Sequence, residues 1–364
     1  MRLLYIVPKI KNAGGVARVL AIKANYFVEY FGYEVHILSQ NEDKEMPFYD
    51  FDSEVVFHSM ILKGNIFMFF NSFQKLINQK INEIKPDVIL VADNGLKAFV
   101  FPFIAKTKTP IVFESHGSKF VEEEIQKTNF ISKFISKIKY RFKDFGAQKF
   151  TKIVVLSDEN LKEWNIESGI VIPNPCWIKT QKTADLKQKK AIAIARNSYE
   201  KGLDRLLLIW KIIGAKYPDW TLDIYTDDVD FLENEAIKLE IESGINYLQF
   251  VKNIQKKYLK ASIGMMTSRT EGFPMVLLEA MASGLPCIAY DCPTGPRAII
   301  TNAESGFLIP DNNIEMYIEK LSFLIENEKV RVKFGLEAKE ISREYSVRKI
   351  MKQWKEFLED LVSV

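Results

Sequence analysis

The sequence predicts an α/β protein of two similar lobes, each a parallel sheet wound with helices, and three observations predict it. The chain has 364 residues, and at ~100–200 residues per domain that length favours two domains over one. Short β-branched runs alternate with longer amphipathic segments, the pattern of parallel strands joined by crossover helices. The rhythm breaks midway, at Ile172-Pro173-Asn174-Pro175 and the polar, lysine-rich stretch 179–190, and then restarts. Two prolines there forbid helix.

In order along the first half, strands are expected at 3–7, 34–38, 88–92, 111–114 and 153–156, with helices between them at 16–31, 66–84 and 120–145. The first apolar run ends at Pro8 and is too short for the apolar segment of a secretory signal. Strands follow in the second half at 191–195, 222–225, 247–250, 263–267 and 286–289, each leading into a helical stretch. Ile350, Trp354, Phe357, Leu358 and Leu361 recur at helical spacing with no strand after them, so 346–361 reads as a closing helix across the lobe junction. The domains are therefore expected at 1–172 with 346–364, and at 173–345.

Composition excludes several function classes. Lys+Arg 50 against Asp+Glu 47 leaves +3, without the concentrated positive face of a nucleic-acid binder. Cys176, Cys287 and Cys292 give no disulfide framework, and with His36, His58 and His116 they offer no zinc-ligand spacing. The expected compartment is reducing. Asp93, Lys97 and Pro102 interrupt the most apolar region, so no stretch reaches the ~18 apolar residues of a membrane span.

The stretch Thr270–Pro286 carries the chemistry. A strand ends in a turn made by Gly272 and Pro274, and a helix opens near Met275. Its first amides then point out of the carboxyl end of a parallel strand, where anions such as pyrophosphate bind. Glu271 in the loop and Glu279 about one turn into the helix can face one ligand. Near phosphates those carboxylates would be repulsive unless they address the flanking sugar hydroxyls. The alternative for either acid alone is a surface loop with a helix-capping carboxylate.

EGFPMVLLEAMASGLP, with Glu271 and Glu279 as E-x7-E, resembles the signature of retaining glycosyltransferases of family 4, bacterial polysaccharide-type members included. Further similarities lie in Arg196-Asn197-Ser198-Tyr199-Glu200-Lys201-Gly202 (R-x4-K-G), in the turn Asp291-Cys292-Pro293-Thr294-Gly295-Pro296, and in Gly306-Phe307-Leu308-Ile309-Pro310. The resemblance covers most of the chain. It implies the GT-B fold, two Rossmann-like lobes with parallel sheets facing across a cleft and a C-terminal helix crossing back.

It also implies roles. Arg196 and Lys201 would grip the donor diphosphate, a task suited to bidentate guanidinium and a lysine point charge. Glu279 would bind the ribose, Glu271 the donor sugar near the reacting carbon, and the backbone from Gly272, Phe273 and Pro274 to Met275 and Val276 the pyrophosphate. In the first lobe, Gly14 and Gly15 sit in a strand-to-helix loop where family members carry a similar pair beside the donor phosphate. His116 follows a strand, where the family places a histidine over the donor sugar. Catalytic roles thus fall to His116, Glu271, Arg196 and Lys201. The resemblance further implies no metal, no cofactor beyond the nucleotide-sugar substrate, and no covalent nucleophile. Where the family often has an acid two residues after Pro296, this chain has Ala298, preceded by Arg297.

Three features stand apart. Asp227-Asp228-Val229-Asp230 contains D-x-D, a metal-holding pattern elsewhere, but reads better as an acidic turn and helix cap. Cys287 and Cys292 flank a strand and read as small core residues. Residues 129–150 combine Phe130, Ile131, Phe134, Ile135, Ile138, Phe142 and Phe145 at helical spacing with six cations and Asp144, a local charge of +5. This is either a core helix with a solvated lysine face or a basic amphipathic helix lying on an anionic membrane through 130–149.

The expected function is transfer of a sugar from a nucleotide diphosphate sugar, UDP-linked, to a glycan or polyprenyl-linked acceptor in surface polysaccharide synthesis. The expected location is the cytoplasm, peripheral on the inner membrane face. Two alternatives stand beside it: a nonhydrolysing nucleotide-sugar 2-epimerase, and a non-catalytic two-lobed sugar-binding protein.

Overall fold

A computed structural model of the chain describes residues 1–11, 14–42, 47–62, 66–120, 130–164, 166–179, 181–241 and 244–363, with the side chains of 66–70 and 130–133 excepted. Asn12, Ala13 and residues 121–129, to which expected elements were assigned, lie outside the described residues. The chain divides into two compact units, Met1–Pro175 with Val347–Val364, and Cys176–Ser346.

The sheet of the first unit contains β1 (Arg2–Ile6), β2 (Glu34–Gln40), β3 (Val56–Met60), β4 (Val88–Val91), β5 (Ile111–Glu114), β6 (Lys152–Val155) and β7 (Gly169–Val171) in the order β3-β2-β1-β4-β5-β6-β7. Every pairing is parallel. Side chains of β1 alternate between faces. Leu3 and Tyr5 join Leu20, Phe27, Ile350, Trp354 and Leu358 on one side, whereas Leu4 and Ile6 join Phe73, Phe99, Phe113 and Trp164 on the other. Both faces of the sheet are thereby covered, as parallel sheets require.

The final helix, Val347–Ser363, belongs to this unit. Its buried stripe of Ile350, Trp354 and Leu358 packs against the helix Gly15–Phe31, with Lys23 Nζ 3.5 Å from the Trp354 ring centroid.

The second unit holds β8 (Lys190–Ile194), β9 (Thr221–Thr226), β10 (Ile245–Gln249), β11 (Ile263–Met266), β12 (Cys287–Asp291) and β13 (Gly306–Pro310), all parallel, in the order β10-β9-β8-β11-β12-β13. Both sheets are Rossmann-like, and the strand order reverses at β1/β4 and at β8/β11. In such sheets the crevice outside the carboxyl ends of the strands at the reversal is the ligand site.

Three strands escape the sequence reading. β3 and β7 are sheet edges, β3 with Val56 and Phe57 half exposed and β7 only three residues long. β13 begins at Gly306, where a Cβ would lie 2.0 Å from the Cys287 carbonyl oxygen of β12. The glycine that weakens the strand signal is what lets the two backbones pair.

Candidate active site

In the second unit, the loops that follow β8 and β11 meet at the strand-order reversal. Two hydrogen bonds join them: Thr267 Oγ1 donates to the Gly202 carbonyl and the Arg269 amide to the Glu200 carbonyl, each at 2.8 Å. Gly202 has φ +62°, and a Cβ there would sit 2.2 Å from Thr267 O, so the Lys201-Gly202 turn requires glycine. Arg269 fastens the junction from outside. It forms a bidentate pair with Asp204 (2.9 and 2.5 Å), donates to Tyr199 O at 2.7 Å and stacks 4.1 Å over the Tyr199 ring. Burial opposes the Asp204 charge, but the Arg269 hydrogen bonds and charge hold its carboxyl below the usual range.

This frame brings Lys201 and Glu271 together. Lys201 Nζ lies 2.8 Å from both carboxylate oxygens, and Ser268 Oγ donates to Oε1 at 2.6 Å. The Glu271 side chain is 8% exposed and that of Lys201 22%, leaving a cation at the surface of a neutralised pair. The anticipated repulsion between Glu271 and a phosphate is thereby offset.

The turn after β12 supports the Glu271 loop. Thr294 Oγ1 donates to the Glu271 carbonyl. At Gly295, with φ +96°, a Cβ would lie 2.7 Å from Pro274 Cδ and 3.3 Å from Glu271 Cβ. Gly295→Ala is therefore expected to lower stability by ~1–3 kcal/mol through strain and collision, read as a fall in melting temperature. Arg297 pairs with Asp291 in bidentate fashion at 2.9 and 2.8 Å, and the Ala298 carbonyl accepts the Tyr345 hydroxyl at 2.6 Å.

The helix Met275–Ala282 opens at Pro274, whose carbonyl accepts the Leu277 amide at 3.0 Å. The Met275 and Val276 amides precede the first intrahelical donors and are oriented for an external acceptor. Gly272, Phe273 and Met275 are buried, so the backbone rather than these side chains is what the turn can offer.

Glu279 is 1% exposed. Trp177 Nε1 donates to its Oε1 at 2.6 Å, and the Tyr258 hydroxyl lies 3.2 Å from both Oε2 and the Val276 carbonyl. Arg196 is half exposed and lies 3.5 Å from Glu200. Its loop is tied down by Asp227, which accepts the Asn197 amide at 2.6 Å. Asp228 caps the helix Val229–Lys238 through the Phe231 amide at 3.1 Å. Asp227 and Asp228 thus serve backbone amides.

Trp177, Tyr258, Asp204 and Arg269 have no sequence signature in the reading above. Trp177 and Glu279 are 102 residues apart, and only folding joins them. Cys287 and Cys292 are fully buried. Burial pushes the Cys287 thiol up and that of Cys176 up to about 12, which removes both as nucleophiles at neutral pH.

In the first unit, Gly14 and Gly15 follow β1 at the opening of the helix Gly15–Phe31. A Cβ at Gly15 would meet nothing within 4 Å, so packing within the chain does not demand glycine there. His116 lies in the loop after β5. Its Nε2 is 3.4 Å from Glu114 Oε2, and its Nδ1 is buried without a hydrogen-bond partner among the described residues. Glu114 in turn pairs with Lys23 Nζ at 2.6 Å, both side chains almost wholly buried. His36 and His58 hydrogen-bond to each other at 2.9 Å on β2 and β3, away from this loop in the sheet order.

Residues 178–341 match the family described as glycosyl transferases group 1. The chain carries a glycosyltransferase domain and is a glycosyltransferase. Along nearly its full length it is similar to an uncharacterized glycosyltransferase of Haemophilus influenzae, 28% identical over 97% of this chain and 99% of that protein. It is likewise similar to the amylovoran biosynthesis glycosyltransferase AmsD of Erwinia amylovora, 26% identical over 98% and 99%. Among solved structures, Anabaena HepE in complex with UDP and glucose superposes with a TM-score of 0.77 at 18% identity, over 99% of this chain and 100% of that one. The fold is that of GT-B glycosyltransferases.

Proposed function

We propose that this glycosyltransferase moves a sugar from a UDP-linked donor to a glycan or polyprenyl-linked acceptor in surface polysaccharide synthesis, with retained anomeric configuration and without a metal ion. The observation that carries the reading is the Lys201–Glu271 pair held at the β8/β11 reversal beside the opening of the Met275–Ala282 helix. Charge that develops on the departing diphosphate is met by Lys201, by Arg196 and by the Met275 and Val276 amides, fixed groups that need no reorganisation during the reaction. Glu271 then holds the donor sugar and Glu279 the ribose.

In the step itself the bond from the anomeric carbon to the phosphate oxygen breaks, and the acceptor oxygen bonds to the same face of that carbon. The acceptor proton passes to the departing phosphate oxygen. No side chain need form a covalent intermediate. The named polysaccharide relative and the UDP and glucose bound by HepE support the substrate classes. Engagement of Asp227 and Asp228 by backbone amides supports the metal-free reading. Three buried free thiols suit a reducing, cytoplasmic setting.

The test supplies UDP-glucose, UDP-galactose and UDP-N-acetylglucosamine in EDTA with polyprenyl-diphosphate-linked sugars, and follows UDP release and the product's anomeric proton by NMR. One donor should be consumed, giving a product of the donor's configuration. Dependence on magnesium, inversion, or conversion to a different sugar nucleotide without acceptor would each overturn the reading.

Trp177→Phe removes the indole donor from a buried carboxylate, a loss of ~1.5–3 kcal/mol for a hydrogen bond to a charged group. Nucleotide affinity should fall by ~10-fold or more with turnover at saturation largely kept, as measured by calorimetry and steady-state kinetics.

A further inference from the structure

We propose that the outward face of the helix Phe130–Ala147 is a docking surface for an anionic lipid bilayer. The structure turns much of the apolar side of this helix outward. Ser136, Tyr140, Lys143, Gly146 and Ala147 are buried, whereas Phe134 is 60%, Ile135 47%, Ile138 53% and Phe145 54% exposed. The cause is a close helix–helix approach: a Cβ at Gly146 would lie 2.5 Å from the Phe99 carbonyl oxygen. Gly146 faces the helix Leu96–Ile104, and Phe134, Ile135, Ile138 and Phe145 are left outside. Lys143 joins the inward face, 3.4 Å from the Lys119 carbonyl.

Phe134, Ile138, Arg141 and Phe145 recur at spacings of three and four, so they form one continuous stripe, and past the helix end Lys149 Nζ lies 5.9 Å from the Phe145 ring centroid. Phe103, 47% exposed on the neighbouring helix, widens it by stacking on Phe145 with centroids 5.4 Å apart. Lys137, Arg141 and Lys149 are exposed among these residues. Asp144, the one acid of the helix, is occupied by Lys119 Nζ at 2.5 Å. The face is therefore apolar and cationic together.

That combination selects the occupant. Protein interface cores are depleted in lysine, and a second copy of this face would bring like charges into contact. A bilayer accepts both components, apolar side chains entering the headgroup–acyl boundary while lysine and arginine reach lipid phosphates. No helix among the described residues is long and apolar enough to cross a membrane, and the surface proposed here lies on one. The inference is independent of the glycosyl-transfer reading, because binding is measured without donor or acceptor.

The experiment floats the full-length protein with vesicles of phosphatidylcholine containing phosphatidylglycerol, and with phosphatidylcholine alone. Preferential binding to the anionic vesicles is expected, weakening with added salt. Lys137→Glu/Arg141→Glu should lower the partition coefficient by ~10-fold or more. Phe134→Asp/Phe145→Asp should do the same by removing the inserted groups. Melting temperature reports that both variants are folded. Equal binding of wild type and both variants, or no binding to either vesicle, would overturn the proposal. So would a lipid-free dimer, seen by light scattering, that Phe134→Asp/Phe145→Asp dissolves.

Discussion

Lys201→Met is expected to reduce turnover by ~10²–10³-fold, the usual consequence of removing one preorganised charge-stabilising group. Two features of the structure make the loss specific. The ammonium is the exposed member of the pair with Glu271, so its removal takes away the cation facing a phosphate without opening a core. It also leaves Glu271 with the Ser268 hydroxyl in place of a cation, and the uncompensated carboxylate then repels the diphosphate. Lys201→Arg should rescue only in part, because a guanidinium fork does not reproduce an ammonium equidistant from both oxygens of Glu271. Steady-state kinetics with the accepted donor, alongside a melt showing the variant folded, checks this. Turnover within a few-fold of wild type would remove Lys201 from the chemistry.

The second large effect is on stability and lies in the first unit. Lys23 and Glu114 form an ion pair at 2.6 Å with side chains 2% and 4% exposed, and Lys23 also sits over Trp354 of the final helix. Breaking a buried pair from one side strands the partner charge and costs ~3–5 kcal/mol. Lys23→Met should therefore destabilise the unit by that amount, and Lys23→Met/Glu114→Gln should recover much of the loss, since no charge is then buried alone. Hydrogen exchange at β1 and β5 reads the unit directly, where a whole-chain melt could mix two transitions.

The same pair sets a pH dependence. Burial pushes the Glu114 carboxyl up, but the Lys23 charge and the His116 and Lys23 hydrogen bonds win and lower it from 4.5 to about 2. A carboxyl held below its unfolded value contributes stability that is complete above about pH 4.5 and is lost as pH falls towards 2. Burial lowers the Lys23 pKa despite its partner. Lys23→Met removes the charge that holds the Glu114 pKa down, so the acid-linked loss of stability of β1 and β5 between about pH 4.5 and 2 should shrink or vanish in that variant.

What could be read from the sequence follows where each residue finds its partner. Val88–Val91 and residues 111–113 announce themselves because central parallel strands are buried on both faces and these runs are apolar. Val56–Met60 does not, since an edge strand with exposed Val56 and Phe57 has no such run. The Glu271-to-Glu279 segment and Lys201-Gly202 were visible as local spacings. Their supports were not: Trp177 reaches Glu279 across 102 residues, and Arg269 reaches Asp204 across 65. For the helix Phe130–Ala147, periodicity showed two faces but not which one turns inward. Gly146 decides that through its fit against Phe99, a partner 47 positions earlier in the chain that no periodicity could supply.

The central claim, that the loops after β8 and β11 hold a nucleoside diphosphate through Lys201, is tested most directly by calorimetric titration of the wild type and Lys201→Met with UDP, GDP and ADP in EDTA. The account predicts that UDP binds the wild type without metal and binds Lys201→Met at least ~10-fold more weakly. It is contradicted if none of the three binds, if binding appears only when magnesium is restored, or if the two proteins bind UDP equally well.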